Sequence, residues 1–305
     1  MFSCLISGAG QIASGYDHPG DEHILTHAHA IQEDPSFSIH GFFDIDVEKA
    51  RAAATKWGGR AFQNIRDAGP IDVAVISSPD SCHLESVLNV LPLKPRLIVL
   101  EKPLARTLVD AKKLVEIGEN IPVLVNFSRR FVPQFQALSS RIKKGEFGRF
   151  LTGTGHYGKG FIHNGSHMID LMRLLVGDLQ GVSRLSSFED FYPDDPTRTV
   201  KLDFRSGGSF FMVGVSCTAF TIFQFDLIFE KGRILILNSG LAIEIYDVHE
   251  SVSDAGYRET RIKEKIETEL DFSMKYVYQN SGRFLSGNEP LLSTTQSAFE
   301  EFLYG

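Results

Sequence analysis

Over the first 125 residues, short apolar runs alternate with segments of helical composition at a regular rhythm, and this limits the chain to few folds. Residues 2–7, 38–43, 73–77, 97–100 and 123–125 read as strands. Residues 24–32, 47–57, 83–91 and 108–117 read as helices, the second of them rich in Ala, Lys, Arg and Glu. Strands joined by crossover helices lie parallel, so this part is expected to form a doubly wound α/β sheet.

After Asn126 the rhythm changes. Residues 135–144 and 166–176 read as helices, followed by strand-like runs at 185–188, 199–204, 209–216, 221–229, 233–237 and 242–248. Turn signals such as Ser206-Gly207-Gly208 and Lys231-Gly232 separate several of them, as in antiparallel hairpins. The expectation is two domains, 1–125 with the parallel sheet and 126–305 as an α+β domain with a largely antiparallel open sheet. Phe210, Phe211, Phe220, Phe223, Phe225 and Phe229 read as one sheet face richer in aromatic rings than a small domain buries. That face is expected to join two subunits of a homo-oligomer.

A content of 43% apolar and 23% charged residues supports a soluble globular protein with an ample core. A net charge of −7 argues against nucleic acid, and the basic runs Arg129-Arg130 and Lys143-Lys144 are too short to line a phosphate backbone. No window reaches the roughly 18–20 apolar residues of a membrane span. Residues 1–6 enter a strand with no basic stretch or cleavage site, so neither membrane nor secretion is expected. Cys4, Cys82 and Cys217 are odd in number and far apart, which suits free thiols in a cytoplasm. Cys4 and Cys217 read as small core residues and Cys82 as part of a crevice loop.

Gly8-Ala9-Gly10-Gln11-Ile12-Ala13 follows the first strand and matches G-x-G-x-x-A. Gly8 allows the tight turn, Gly10 a close approach of backbone to a pyrophosphate, and Ala13 close packing of helix on strand, with helix-start amides facing the phosphates. Asp44, at the end of the second strand, is placed to accept hydrogen bonds from the ribose hydroxyls of NAD, and its charge disfavours the 2′-phosphate of NADP. It lies 34 residues beyond Gly10, where about 20 is usual. An insertion at 15–23 accounts for the excess, either as a lid or as surface decoration. His18, His23, His27 and His29 fall in it or the helix after it, and a solvated helix face fits them better than a metal site.

Ser77-Ser78-Pro79-Asp80-Ser81-Cys82-His83 ends the third strand and is placed to run beside the cofactor riboses, with His83 reading equally as a cap or a crevice residue. Glu101-Lys102-Pro103 ends the fourth. Ligands of open parallel sheets bind outside the carboxyl ends of the strands, so Lys102 is aimed at a binding crevice. In the second half, His163-Asn164-Gly165-Ser166-His167-Met168-Ile169-Asp170 places Ser166 at a helix start and His167 three residues before Asp170. A carboxylate at that spacing can hold the imidazole in one tautomer for proton transfer, while a capping serine and a core histidine are the alternative.

Together these residues resemble the Gfo/Idh/MocA family of nicotinamide-dependent sugar oxidoreductases. The matches run in order: the glycine loop, Asp44, Asp72-Val73-Ala74-Val75-Ile76 with Pro79 and His83, Glu101-Lys102-Pro103, and Asn126-Phe127-Ser128-Arg129-Arg130-Phe131. Gly145-Glu146-Phe147-Gly148 and the segment from Gly165 to Val176-Gly177-Asp178 complete them. The resemblance implies a Rossmann domain followed by a sheet domain that carries substrate and often oligomerises. It makes Lys102 the catalytic lysine, oriented by Glu101 across a Lys-Pro peptide that can be cis, and His167 the second proton-handling residue. Many members have an Asp four residues before that histidine, where this chain has His163, so Lys102 and His167 are left with His163 as the assisting group.

Gly8, Gly10, Gln11, Ile12, Asp44, Ser78, Pro79, His83 and Glu101 are expected to line NAD, with NADP disfavoured. Lys102, Asn126, Arg130, Asn164 and Asp170 are expected on the side of a sugar or nucleotide-sugar substrate, where Arg130 suits a carboxylate or phosphate. The implied reaction is reversible oxidation of a sugar hydroxyl. The alternatives are a glycosidase or epimerase working by transient oxidation, and a non-catalytic NAD-binding sensor.

Overall fold

The computed structural model describes residues 1–251 and 256–292. They divide into two compact units, Met1–Phe131 with the segment from Asp271 onward, and Val132–Leu270.

In the first unit, β1 (Phe2–Ser7), β2 (Phe37–Phe43), β3 (Arg60–Phe62), β4 (Val73–Ile76), β5 (Leu97–Leu100) and β6 (Val123–Val125) form one sheet in the order β3-β2-β1-β4-β5-β6. Every pairing is parallel. The helices α1 (His27–Glu33), α2 (Val47–Trp57), α3 (His83–Val90) and α4 (Leu108–Gly118) are the crossovers. All four residues of both β4 and β5 are fully buried, as in a sheet covered on both faces. Strand order reverses between β1 and β4, which makes their carboxyl ends the switch point where such sheets take ligands.

α1 begins at His27, three residues later than the sequence suggests, and His27 and His29 are 0% and 1% exposed. The expected solvated face therefore holds only for His18 and His23. The insertion before α1 is pinned by Asp17, which accepts the amides of Leu25 and Thr26, the Thr26 hydroxyl, and His29 Nδ1 at 2.8 Å. A buried carboxylate with four partners fixes that loop more firmly than its composition implies.

In the second unit, α5 (Pro133–Lys143) and α6 (Ser166–Leu175) accompany a sheet of β7 (Phe150–Tyr157), β8 (Leu179–Tyr192), β9 (Asp195–Phe204), β10 (Ser209–Gly214), β11 (Phe223–Phe229), β12 (Gly232–Leu237), β13 (Ala242–Glu250) and β14 (Arg258–Glu267). The order is β14-β13-β12-β11-β7-β10-β9-β8, antiparallel except for the β7–β10 pair. β7 escapes a propensity reading because of Gly153 and Gly155. A Cβ at Gly155 would sit 2.6 Å from both the Met168 sulfur and the Phe210 ring, so helix α6 packs against the sheet only over a glycine.

The six phenylalanines do not share a face. Phe210, Phe223, Phe225 and Phe229 are 0–4% exposed in this unit's own core, whereas Phe211 points to the other side and Phe220 is exposed. Adjacent strand residues alternate faces, and the large rings are consumed by the domain itself. Cys217 is half-buried in the loop after β10 rather than in the core, and Cys82 is exposed.

A last helix, α7 (Ser273–Leu285), packs with the first unit, not with the second as the sequence division implies. Its Met274, Val277, Tyr278 and Leu285 join Cys4, Ile6, Ala28, Ile31, Val75 and Val99 in one apolar cluster. Among the described residues, no helix is long and apolar enough to cross a membrane and no three metal-ligating side chains cluster.

Candidate active site

Five strands of the first sheet deliver their candidate residues at their carboxyl ends, and hydrogen bonds one residue past the strands hold them level. Gly8 donates to Phe43 O, Ser77 to Ser7 O, Glu101 to Ile76 O and Asn126 to Leu100 O, at 2.8–2.9 Å. Gly8, at φ +97°, turns the chain so closely that a Cβ would lie 2.5 Å from the Ser78 amide nitrogen. Gly10 is exposed, and a Cβ there would meet nothing within 4 Å. That open space is what close approach of a pyrophosphate needs, so the loop fits a dinucleotide. The loop leads into a one-turn π-helix, Gln11–Gly15, in place of the expected α-helix, with Gln11 exposed and Ala13 fully buried. Asp44 is half-buried and accepts the Ala9 amide at 2.7 Å and the Asp46 amide at 2.9 Å.

Ser78 Oγ lies 2.9 Å from Ser86 Oγ, and Pro79 is exposed. His83 is 1% exposed and its ring nitrogens face the carbonyls of Leu104 and Ser78 at 3.2 and 3.1 Å. It therefore bridges the turn after β4 and the turn after β5, its one N–H donating to either carbonyl in the neutral ring. Burial pulls its pKa below the ordinary value, against the opposing pull of those carbonyls and of Glu101 and Asp80.

Glu101 is buried, and Oε1 lies 3.0 Å from His27 Nε2 and 2.5 Å from Asn126 Nδ2. Burial pushes its carboxyl up, but His27, Asn126 and Lys102 outweigh that and hold it below the usual range. His27 Nδ1 in turn lies 2.9 Å from the Tyr278 hydroxyl. Lys102 is half-buried, and its peptide bond to Pro103 is cis. Burial and the nearby Arg129 lower the Lys102 pKa, while Glu101 and Asp80 oppose them. Burial also pulls the Arg129 guanidinium down to about 10. Arg130, in the turn Ser128–Phe131 after β6, is 7% exposed.

In the second unit, His163 and Asn164 lie in a π-turn, Phe161–Gly165, that leads directly into α6. His163 Nδ1 lies 2.8 Å from Asp195 Oδ2, and its ring stacks on Tyr192 at 4.0 Å between centroids. Asn164 Nδ2 donates to Gly158 O at 2.8 Å, so this side chain braces the turn. His167 is half-buried on α6, and Asp170 is 1% exposed. Ser166 opens α6 without capping it; its hydroxyl is buried with no hydrogen-bond partner.

Residues 2–127 match the family model described as "Oxidoreductase family, NAD-binding Rossmann fold", named GFO_IDH_MocA. Over this segment the chain is similar to the Gfo/Idh/MocA family. Its relatives include glucose-6-phosphate 3-dehydrogenase of Bacillus subtilis, 28% identical over 159 residues, and inositol 2-dehydrogenase of Corynebacterium glutamicum, 30% identical over 174. These alignments cover 50% and 51% of the chain but only 41% and 50% of the relatives, so the chain spans about half the length of the curated relatives it matches. The Gfo/Idh/MocA fold extends over both units. The WlbA dehydrogenase from Bordetella pertussis, solved with NADH and UDP-GlcNAcA, superposes with a TM-score of 0.75 over 98% of this chain and 92% of its own, at 19% identity.

Four functional candidates escape a sequence reading. Asp17, His27, Asp195 and Tyr278 act through partners 8 to 251 positions away. Only the short His27–His29 spacing beside a departure from the usual acid spacing hinted that the insertion carries buried polar groups.

Proposed function

We propose that the chain is an NAD-dependent oxidoreductase that moves a hydride between nicotinamide and a hydroxyl- or carbonyl-bearing carbon of a sugar or sugar derivative, with Lys102 handling the proton. The observation that carries this reading is the alignment, on one sheet, of the open Gly10 loop, Asp44 and a half-buried Lys102 whose amine is biased toward its neutral form. When bound, nicotinamide supplies the hydride-accepting carbon. Gly8, Gly10, Gln11 and Ile12 hold the pyrophosphate, and Asp44 selects NAD over NADP by repelling a 2′-phosphate. The turn at Ser78 and Pro79, clipped by His83, lines the riboses.

Lys102 takes the hydroxyl proton in oxidation and returns it in reduction; desolvation lowers its pKa and so favours this role. Asn126 and Arg130 follow the adjacent strand, where Arg130 suits an anionic sugar substituent. His167, with His163 beside it in sequence, is the second proton-handling candidate, and Asn164 and Asp170 shape its surroundings. The dehydrogenases of glucose 6-phosphate and inositol, and the neighbour bound to a UDP-sugar, support a polyhydroxylated substrate. Free Cys4, Cys82 and Cys217 suit a reducing cytoplasm, and Leu185 and Phe191, each 58% exposed on β8, support self-association through the second sheet.

The test is NADH formation from sugar phosphates, inositols and nucleotide-sugars by wild type and Lys102→Met. We expect kcat to fall about a hundredfold or more while NAD affinity stays within about twofold. Equal turnover by the variant removes Lys102 from the chemistry. Product formation without net NADH indicates transient oxidation instead.

A further inference from the structure

Helix α1 and the returning helix α7 converge on Glu101, the acid next to Lys102. His27, 0% exposed, stands between Tyr278 and Glu101, with 2.9 Å to one and 3.0 Å to the other. The two rings meet edge-on, at 80° and 5.9 Å between centroids. Tyr278 is fully buried and its phenol is held firmly protonated, so its hydroxyl is available as a donor. One arrangement satisfies every group with a neutral imidazole. Tyr278 Oη–H donates to His27 Nδ1, and His27 Nε2–H donates to Glu101 Oε1, which also accepts from Asn126.

We propose that His27 and Tyr278 are positioning residues for Lys102, keeping the Glu101 carboxylate ionised and aimed so that its negative charge stays beside the amine. This rests on the reading of Lys102 as the proton-handling group. A buried carboxylate that loses an N–H donor binds a proton more readily, and a neutral Glu101 no longer favours the ammonium form. His27, Tyr278, Asn126 and His83 surround Glu101 from α1, α7, the end of β6 and α3, while Arg129 and Asp80 act on Lys102. With Glu101 neutralised, burial and Arg129 both pull the amine down, against Asp80.

The experiment is trace acetylation of Lys102 by an N-hydroxysuccinimide acetate on the full chain across pH, read by peptide mass spectrometry. It needs no substrate. In His27→Phe the midpoint is expected to fall by about one pH unit relative to wild type, and in Tyr278→Phe by about half as much. His27→Gln keeps an N–H donor and is expected to return the midpoint to within about 0.3 of wild type. Tyr278→Phe differs by a single oxygen and carries the test alone where His27→Phe does not fold. An unchanged midpoint in the folded Phe variants, or a His27→Gln shift as large as that of His27→Phe, overturns the proposal and leaves the oxidoreductase reading standing. Undiminished turnover of Lys102→Met overturns that reading and leaves the midpoint shift intact.

Discussion

The carboxylate of Asp195 lies 2.8 Å from Nδ1 of His163 and is 3% exposed. It also accepts the amides of Ile162 and His163, and it packs so tightly on Gly160 that a Cβ there would sit 2.1 Å from Oδ2. The imidazole is thereby held with Nδ1 as donor to the carboxylate. At position 163 this chain has a histidine, and the carboxylate that partners it comes from β9.

Asp195→Asn should therefore destabilise the chain by about 2 kcal/mol, the scale of losing charge-assisted hydrogen bonds to a buried acceptor. Urea denaturation reads that loss. Nitrogen NMR of the His163 ring should show the Nδ1-protonated tautomer in wild type and a mixture in the variant. An Nε2-protonated wild type would contradict the assignment.

The two loop glycines should separate folding from cofactor binding. Gly8→Ala places a Cβ 2.5 Å from the Ser78 nitrogen at φ +97°, and should destabilise by about 3 kcal/mol or more. Gly10→Ala, in an extended conformation facing open space, should leave stability within about 0.5 kcal/mol. It should nevertheless weaken NAD binding about tenfold or more, read by titration calorimetry. Unchanged affinity in Gly10→Ala removes the pyrophosphate from that space.

Asp44→Ser should lower the NAD-to-NADP preference about tenfold by removing the charge that repels a 2′-phosphate. Because Asp44 also accepts from Ala9 and Asp46, the variant should lose about 1 kcal/mol of stability as well. Competitive binding of the two coenzymes measures the first effect and thermal unfolding the second. A preference that does not move places selection elsewhere.

Acid should loosen the insertion through Asp17. Burial raises its carboxyl, but Thr26, Leu25 and His29 more than reverse that and leave it below the ordinary value. A depressed folded pKa means stability that is complete above about pH 4 and drains as pH falls through the folded value. Asp17→Asn should be less stable by about 2 kcal/mol at pH 7, with the difference shrinking toward pH 3. Parallel urea-midpoint curves for the two proteins from pH 7 to 3 would falsify this account.

The first sheet was legible because β1, β2, β4, β5 and β6 are apolar runs between helices, and Gly8, Asp44, Glu101 and Asn126 each fall one residue past a strand. β3 was not, being three residues at the sheet edge. In the second sheet β14 hides because Arg-Glu-Thr-Arg-Ile-Lys-Glu-Lys-Ile-Glu shows little alternation; it pairs through ladder bonds and ion pairs such as Lys265–Glu244 at 3.0 Å. Lys102 was readable from a local motif. Its supports were not, since the contact of His27 with Tyr278 spans 251 positions and only tertiary folding brings them together.

The position of α7 has a consequence for how the protein is made. Every strand of the first sheet has been translated by Val125, yet Met274, Val277 and Tyr278 of its core arrive only after the whole second unit. At typical elongation rates roughly 8–30 s pass before α7 can join that core. During that interval His27 has no phenol to meet. The first domain to emerge is thus the last to be completed.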